Sequence, residues 1–496
     1  MPKLAPLFGN SAVLCRNKEI RIFGEAESGR VITVTLGSDT AVCTARDGRF
    51  LARLAPREAA TGLTLTVTDG VETVVSTDVA IGEVYLAGGQ SNMELELQNA
   101  DEGPDLIQTH HDADLRYFNV PKRSLWNEEA VQAEAASHWE SIRPGRGRDM
   151  SAVAYFFAMK LRRTLNIPVG IIACYWGGTS ITCWMDENYL RQFAEGTRYL
   201  TDYAALVGDK TMAQWQVEED KFQADMAAWN ARAAQIRAAN PGMDWGEINA
   251  LCGPSPWNPP VGWGSPYRPG SLADTMLGRV APASLTGMLF YQGEEDTWRT
   301  TQYALLLTAF IRYVRGLFRD DTLPFINTQL PMFINSTDSI YNHQWAELRQ
   351  AQAQVAKQVA HTGLACLIDC GEIDNIHPTD KRTPGERLCD VALRVVHGLD
   401  APKSPEATGK YTADSTLVIT LDAPVTFTRD GDDCMEIAGE DGVWYPAAAA
   451  VEDARLLLTS PDVPHPVAAR YAHANWARVR LFGQSGLPLA PFVLDH

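Results

Sequence analysis

The chain has 496 residues, of which 45% are hydrophobic and 21% are charged. At roughly 150 residues per domain this length predicts about three domains of ordinary globular composition, which excludes a single small binding module and a disordered chain. The formal net charge is −18. Because no stretch is rich in Lys and Arg, the basic surface that neutralises phosphates is missing, and we do not expect a nucleic-acid partner.

Apolar runs and cysteine spacing bound the cellular setting. The longest apolar run, Ala152 to Met159, is far shorter than the roughly 20 residues of a membrane-spanning helix, so no membrane partner is expected. The first residues lack the basic start and long apolar core of a secretory signal, which favours a cytoplasmic protein; a signal removed earlier would make it secreted. Nine cysteines without zinc or redox spacing are expected to be reduced and mostly buried.

Residues 1–80 predict a β-sandwich-like domain. Glu19–Phe23, Val31–Leu36 and Leu63–Val67 alternate apolar and polar residues with frequent Val and Thr, as half-buried antiparallel strands do. The pattern changes at Glu83–Ala87, where a fully apolar run indicates a buried strand. Gly88–Met93 follows directly, and the end of a buried strand is a usual place for an active site.

Residues 81–400 predict a catalytic α/β domain. A helix is predicted over Ser151–Leu165, and strands over Pro168–Tyr175 and Thr286–Phe290; helices between buried strands imply a mostly parallel sheet covered on both faces. An insertion at about 189–265 is rich in helix formers up to residue 239, and a Pro- and Trp-rich loop follows. From 404 to 496, alternation returns, for example in Ser415–Leu421, and predicts a β-rich domain.

Two short segments carry the candidate chemistry. The chain has no Gly-x-Ser-x-Gly elbow, P-loop, His-Glu-x-x-His or paired Cys-x-x-Cys motif. It does have Gly89-Gln90-Ser91-Asn92-Met93 after a buried strand, and Asp374-x-x-His377-Pro378 much later. A hydrolytic serine needs an imidazole to take its proton, and that imidazole needs an acceptor on its other nitrogen.

These blocks resemble those of the SGNH (GDSL-like) hydrolases, and most closely the sialate O-acetylesterase group of carbohydrate esterases. The resemblance covers most of the chain except the helical insertion. It implies a three-layer α/β/α catalytic domain, here flanked by amino- and carboxy-terminal β-rich domains, that hydrolyses acetyl esters of sugars without a metal or cofactor. The blocks are Gly89–Met93, Trp176-Gly177-Gly178-Thr179, Tyr291-Gln292-Gly293-Glu294 and Asp374–Pro378.

By this resemblance, Ser91 is the nucleophile, His377 the general base and Asp374 the group that orients His377. Two structural alternatives stay open. Ser91 could instead be a turn serine that caps the next helix, because serine is favoured there. Asp374 could be a loop cap, since some relatives of this fold use a Ser-His pair helped by a backbone carbonyl.

The resemblance also implies an oxyanion hole made of two backbone NH groups and one side-chain amide. The NH groups of Ser91 and Gly178 fit two roles, with Gly177 almost as suitable. At the position of the family's usual asparagine the chain has Asp296, which as a carboxylate only accepts hydrogen bonds. We therefore predict that the Gln292 amide supplies the third donor and that Asp296 serves the loop or a sugar hydroxyl.

Substrate contacts are predicted on the loop after the insertion. Trp257, Trp263 and Tyr267 could stack on sugar rings or simply pack the loop. Arg268 and Arg349 could bind the carboxylate of an acidic sugar, because arginine forms bidentate pairs, although Arg349 could equally be a structural ion-pair partner. Glu294 is expected to be a buried hydrogen-bond anchor.

Taken together, the sequence predicts a serine esterase that removes O-acetyl groups from sugars through an acetyl-enzyme, with O-acetylated sialic acid as the expected substrate. Acetylxylan or another acetylated glycan is the alternative substrate. An alternative of a different class is a noncatalytic glycan-binding protein with a degenerate esterase core. An oligomer is possible, and no metal site is predicted.

Overall fold

The computed structural model of the chain describes residues 2–240, 243, 245–335, 342–428, 431 and 434–495. Its elements form an amino-terminal β-rich region, a central α/β unit with a helical insertion, and a carboxy-terminal β-rich region. This architecture confirms the predicted fold class.

The amino-terminal region is built from short antiparallel strands whose apolar residues alternate. In the strand Val31–Leu36, the inward residues Ile32, Val34 and Leu36 are fully buried. The eighth strand is 17 residues long and continues into the central sheet, so the predicted domain boundary at residue 80 lies inside one strand. The strands are β1 Lys3–Leu4, β2 Val13–Cys15, β3 Ile20–Glu25, β4 Val31–Leu36, β5 Asp39–Thr44, β6 Arg49–Leu54, β7 Ala60–Thr68 and β8 Thr73–Gly89.

The central sheet has the strand order β10-β9-β11-β8-β12-β13-β14, in which only β10 is antiparallel to its neighbour. The second half of β8 lies between β11 and β12. It is buried throughout, because both faces of a parallel sheet are covered. The further strands of this sheet are β9 Asp112–Asn119, β10 Trp139–Ile142, β11 Val169–Tyr175, β12 Gly287–Tyr291, β13 Phe325–Gln329 and β14 Thr362–Cys366.

Helices pack against the sheet, and a further group of helices forms the insertion. The fourth helix packs on the twelfth, and the tenth packs on the eleventh. The insertion comprises the fifth to eighth helices. The helices are α1 Ser91–Glu94, α2 Gly103–Thr109, α3 Glu128–Ala136, α4 Ala152–Leu165, α5 Glu187–Leu190, α6 Ala194–Val207, α7 Met212–Ala239, α8 Trp245–Cys252, α9 Gly278–Val280, α10 Thr300–Leu317, α11 Gln344–Gln358 and α12 Arg382–Val395.

The carboxy-terminal region has its own apolar core, separate from the one that the amino-terminal and central regions share. Asn475 ties it to the catalytic unit, because its side chain accepts the NH of Trp345 at 3.0 Å and its carbonyl accepts the NH of Phe333 at 2.9 Å. Its strands are β15 Ala407–Ala413, β16 Thr416–Leu421, β17 Val425–Phe427, β18 Met435–Ala438, β19 Trp444–Pro446, β20 Ala448–Glu452, β21 Arg455–Thr459, β22 Ala468–Tyr471, β23 Leu481–Gly483 and β24 Phe492–Leu494.

Two general findings concern the whole described chain. Within the described ranges, no helix combines the length and the hydropathy that crossing a membrane requires. Six of the nine cysteines are buried, as the sequence predicts.

Candidate active site

The four sequence blocks meet at the carboxyl edge of the central sheet. Strand β8 ends at Gly89, β11 at Tyr175 and β12 at Tyr291, while the segment after β14 leads to His377. Parallel strands place their carboxyl ends at one edge, which is where open α/β sheets bind ligands.

Ser91 and His377 form the centre of the site. Ser91 is the first residue of α1, and its Oγ lies 2.7 Å from His377 Nε2. The capping position before the helix is occupied by Gln90 in an extended conformation, so Ser91 is not the capping serine of the structural alternative. Burial, and then the charge of Lys381, lowers the pKa of His377 to about 4. The imidazole is therefore neutral near pH 7 and able to accept a proton.

The loop that carries His377 is held by local hydrogen bonds. Asp374 has a left-handed backbone with φ of 57°, and its NH donates to the carbonyl of Ile334 at 3.1 Å. The NH of His377 donates to the side chain of Asn375 at 3.0 Å, and the amide of Asn375 donates to Glu372 at 2.7 Å. These contacts position the histidine loop, while the orienting role of the Asp374 carboxylate stays a prediction.

The two glycines after β11 have different surroundings. The NH of Gly177 donates to the Glu94 carboxylate at 2.5 Å, so this NH already has an acceptor. Gly178 has a φ of 72°, a conformation that favours glycine. Gly177 packs against Ser91, since a Cβ atom placed on it would lie 3.3 Å from the Ser91 Cβ, and Gly178 is the next residue. Between the two glycines, the geometry favours the NH of Gly178 as an oxyanion donor.

The side-chain amide of Gln292 is not free to act as the third oxyanion donor that the sequence analysis predicts. Its Nε2 donates to the carbonyl of Thr179 at 3.1 Å and to Asp296 Oδ2 at 2.5 Å. Its Oε1 accepts the hydroxyl of Tyr303 at 2.8 Å, and the residue is fully buried. Because both amide hydrogens are used within the protein, the structure contradicts the prediction that Gln292 donates to the oxyanion.

Asp296, at the position of the family's usual asparagine, serves the loop. Its carboxylate is fully buried and accepts hydrogen bonds from the Ser180 hydroxyl at 2.7 Å and the Ile181 NH at 2.9 Å, besides the Gln292 amide. Burial raises the pKa of Asp296, and these donors act in the opposite direction. Its partners tie the loop after β11 to the loop after β12.

A buried polar network lies beside the serine and histidine, and sequence reasoning identified only part of it. We call Asn92, Glu294 and Lys381 the buried polar network. The Asn92 amide donates to Glu294 Oε1 at 2.6 Å and to the carbonyl of Ile376 at 2.9 Å, and Asn92 Oδ1 accepts from Lys381 Nζ at 2.6 Å. Glu294 is thus the predicted buried anchor. Asn92, the residue after the nucleophile, is thereby bonded to Ile376, the residue before His377.

Charge in this network is held away from water. Lys381 is 1% exposed, and burial lowers its pKa to about 8. Burial also raises the pKa of Glu294, although the Asn92 amide and Lys381 act in the opposite direction. The sequence analysis also did not identify the ion pair between Glu94 and Lys122. Glu94 accepts the Gly177 NH, and Lys122 is half-exposed. No local motif marks either lysine.

Aromatic rings from the loop after the insertion reach the site. A Cβ atom placed on Gly178 would lie 2.4 Å from Trp257 Cζ2 and 3.3 Å from Tyr267 Cε1, so both rings pack against this glycine. Trp257 and Trp263 are similarly exposed, at 42% and 43%. The structure therefore brings Trp257 and Tyr267 to Gly178 in the loop after β11, while the stacking role of Trp263 stays a prediction.

Both predicted arginines have partners within the protein. Arg268 is paired with Glu187 at 2.5 Å, next to the start of α5. Arg349 is fully buried in α11 and donates to carbonyl groups of Pro331, Ala472 and Ala474. The prediction for Arg349 is contradicted, because this buried side chain joins the catalytic unit to the carboxy-terminal region. Substrate binding by Arg268 stays a prediction.

Fold and site together define a class. A serine hydroxyl within hydrogen-bond distance of a neutral, buried imidazole, at the carboxyl edge of a parallel sheet, is the arrangement of a hydrolase with an activated oxygen nucleophile. In the described part of the chain, no group of three or more His, Cys, Asp or Glu side chains is arranged to hold a metal ion.

Comparisons with known proteins narrow this class. The family model described as carbohydrate esterase, sialic acid-specific acetylesterase, matches residues 257–393. The chain is similar to the sialate O-acetylesterase of Mus musculus, with 23% identity over 455 residues, 84% of this chain and 78% of the relative. For that of Rattus norvegicus, identity is 24% over 432 residues, 80% of this chain and 74% of the relative.

A solved structure supports the same relation. The crystal structure of a carbohydrate acetylesterase from Xanthomonas citri superposes with a TM-score of 0.76 and 27% identity, and the match covers 100% of both chains. These findings confirm the predicted resemblance to sialate O-acetylesterase-like carbohydrate esterases. The chain is a carboxylic ester hydrolase.

Proposed function

We propose that this chain is a serine esterase that removes O-acetyl groups from sugars through an acetyl-enzyme. The observation that carries the proposal is the 2.7 Å contact between Ser91 Oγ and His377 Nε2. The neutral state of the imidazole also supports it, because burial lowers the pKa of His377 to about 4 and the imidazole need not lose a proton before it accepts the serine proton at neutral pH.

The reaction proceeds in two steps. Ser91 Oγ attacks the acetyl carbonyl carbon while His377 takes the hydroxyl proton, and the developing oxyanion is stabilised by the NH groups of Ser91 and Gly178. His377 then gives the proton to the departing sugar oxygen, which leaves an acetyl ester on Ser91. Water, deprotonated by His377, attacks this ester, and acetate is released as the proton returns to Ser91.

For the substrate, we propose O-acetylated sialic acid. The description of the matching family model and the names of the two relatives support this choice. Arg349 is fully buried, so we assign the sugar carboxylate to Lys122, which is 39% exposed and lies beside the loop after β11 through Glu94, the residue that binds Gly177. An acetylated xylan or another neutral glycan is the second candidate, favoured by the close ion pair that already compensates the Lys122 charge.

Acetate release by the purified protein tests the proposal. We expect release from 9-O-acetyl sialic acid, and a loss of at least about 10⁴-fold in Ser91→Ala, because the nucleophile of such a pair contributes that much or more. Release only from acetylated xylo-oligosaccharides would keep the serine mechanism and overturn the sialic acid substrate. Glycan binding without serine-dependent acetate release would instead support a noncatalytic glycan-binding protein.

A further inference from the structure

The ring of Trp257 packs directly on Gly178 in the loop after β11. A Cβ atom at Gly178 would lie 2.4 Å from Trp257 Cζ2 and 2.6 Å from its Cη2, so no space for a further group remains between this ring and the glycine. Gly178 itself carries the NH that we assign to the oxyanion. The ring edge therefore stands next to the position of the reacting carbonyl group.

The strand order separates this ring from the leaving group. Gly178 follows β11 and His377 follows β14, and these strands lie on opposite sides of β8, which leads to Ser91. His377 must protonate the departing sugar oxygen, so the sugar leaves on the histidine side of Ser91. The substituent of the carbonyl carbon nearest to Trp257 is then the acyl chain.

The insertion holds the ring in this place. We call Trp257, Tyr267 and Phe222 the aromatic wall. The rings of Trp257 and Tyr267 meet edge to face with centroids 5.8 Å apart, and Phe222 of α7 supports Trp257 with centroids 6.3 Å apart. Such pairs have the preferred geometry of aromatic contacts.

The same loop is anchored at a second point. Trp215 of α7 packs against Gly264, where a Cβ atom would lie 2.1 Å from the indole ring. The Ser124 hydroxyl donates to the carbonyl of Gly264 at 2.7 Å. The long helix of the insertion, for which the sequence suggested no role, is thus the support of the aromatic wall.

We propose that Trp257 is a specificity-determining residue that closes the acyl side of the site and restricts the transferred group to acetyl. This inference rests on the proposed function, since it assumes acyl transfer to Ser91. A longer acyl chain would have to displace the indole ring from Gly178. A pocket that differs by one or a few methylene groups discriminates by about 10- to 200-fold.

Hydrolysis of p-nitrophenyl acetate and p-nitrophenyl butyrate by the full chain tests this. In Trp257→Ala, we expect the ratio of kcat/KM for butyrate to that for acetate to rise at least about 10-fold. The ratio does not depend on the fraction of correctly folded protein. Trp257→Leu, which keeps an apolar side chain of smaller volume, is expected to give a smaller rise.

The control is Trp444→Ala, which removes a half-exposed tryptophan from the carboxy-terminal region, where it packs on Arg470. Its ratio is expected to stay that of the wild type. An unchanged ratio in both Trp257 variants overturns the acyl-side assignment, and a higher KM for the acetylated sugar in the same variants would then favour sugar stacking by this ring. Absence of Ser91-dependent hydrolysis of the acetate ester in the wild type would instead defeat the proposed function itself.

Discussion

The buried polar network and the aromatic wall lie on two sides of Ser91 and differ in composition, since one is polar and the other is aromatic. The network is formed by charged and amide groups that are almost fully buried and joined by hydrogen bonds of 2.6 to 2.9 Å. The wall is formed by ring contacts, and Trp257 remains 42% exposed. Hydrogen bonds fix direction and distance, whereas ring contacts fill volume. The network is therefore suited to place the reacting groups, and the wall to select by size.

Among changes outside the reacting pair Ser91 and His377, removal of the central amide of the network is expected to have the largest effect. Asn92→Ala breaks the links to Ile376, Glu294 and Lys381. We expect kcat to fall about 100-fold with KM nearly unchanged, because a small displacement of His377 from Ser91 is enough for such a loss. Steady-state kinetics on the acetylated sugar measure the split between kcat and KM.

A matched control for this variant is Asn119→Ala. Asn119 is an amide at the end of β9, a parallel strand of the same sheet, and it donates to Asp149 at 2.9 Å. Its kcat is expected to remain within about threefold of the wild type. Equal losses in the two variants would contradict a special positioning role of Asn92.

The charge of the network is expected to set the lower pH limit of activity. The pKa of His377 is lowered first by burial and then by Lys381, so Lys381→Met raises this pKa. Protonated His377 cannot accept the serine proton; activity is therefore lost as the pH falls through the pKa of His377, about 4 in the wild type. In the variant, kcat/KM is expected to decline at a higher pH.

The control for this pH profile is Lys160→Met, which removes a lysine paired with Asp390 at 2.6 Å between α4 and α12. Its acid limb is expected to coincide with that of the wild type. If the acid limb of Lys381→Met also stays in place, the lysine has no electrostatic effect on His377 and the network is purely structural.

The smallest effect on activity is expected at Asp296. Asp296→Asn places an NH2 group opposite hydrogen-bond donors, since Ser180, Ile181 and Gln292 all donate to this carboxylate. We expect the free energy of unfolding to fall by about 1–3 kcal/mol, with kcat within about threefold of the wild type. Denaturant titration and steady-state kinetics measure the two quantities.

Asp186→Asn is the matched control, because Asp186 caps α5 by accepting the NH of Tyr189 and asparagine caps equally well. Its stability is expected to be nearly unchanged. An increase of kcat in Asp296→Asn would contradict the loop role and place the side chain at this position among the oxyanion donors.

Elements with a long regular pattern could be predicted from the sequence closely. The helix predicted over 151–165 is observed at Ala152–Leu165, and the strand predicted over 168–175 at Val169–Tyr175. In both, the burial of successive residues follows from local periodicity or from a continuous apolar run. Local pattern is thus sufficient where one element buries its own face.

The site was predictable only where a short motif fixes the neighbours of a residue. Ser91 and His377 lie in such motifs, and the structure brings them together. The role predicted for the Gln292 amide failed because its hydrogen-bond partners, Thr179 and Asp296, come from the folded loops. Likewise, the contact between Asn92 and Lys381 joins residues 289 positions apart, and no local pattern records it.

Strand β8 has a consequence for the order in which the protein can fold. Its first half pairs with β7 of the amino-terminal region, and its second half lies between β11 and β12, whose paired residues follow 86 and 202 positions later. Pairings over such separations close slowly, because the chain entropy of a long loop must be lost first.

During synthesis the amino-terminal strands are made first and can pair with the first half of β8. The end of β8 that leads to Ser91 can pair only after β11 and β12 have been made. Because the amino-terminal and central regions share one apolar core, removal of the amino-terminal region is expected to lower the yield of active enzyme.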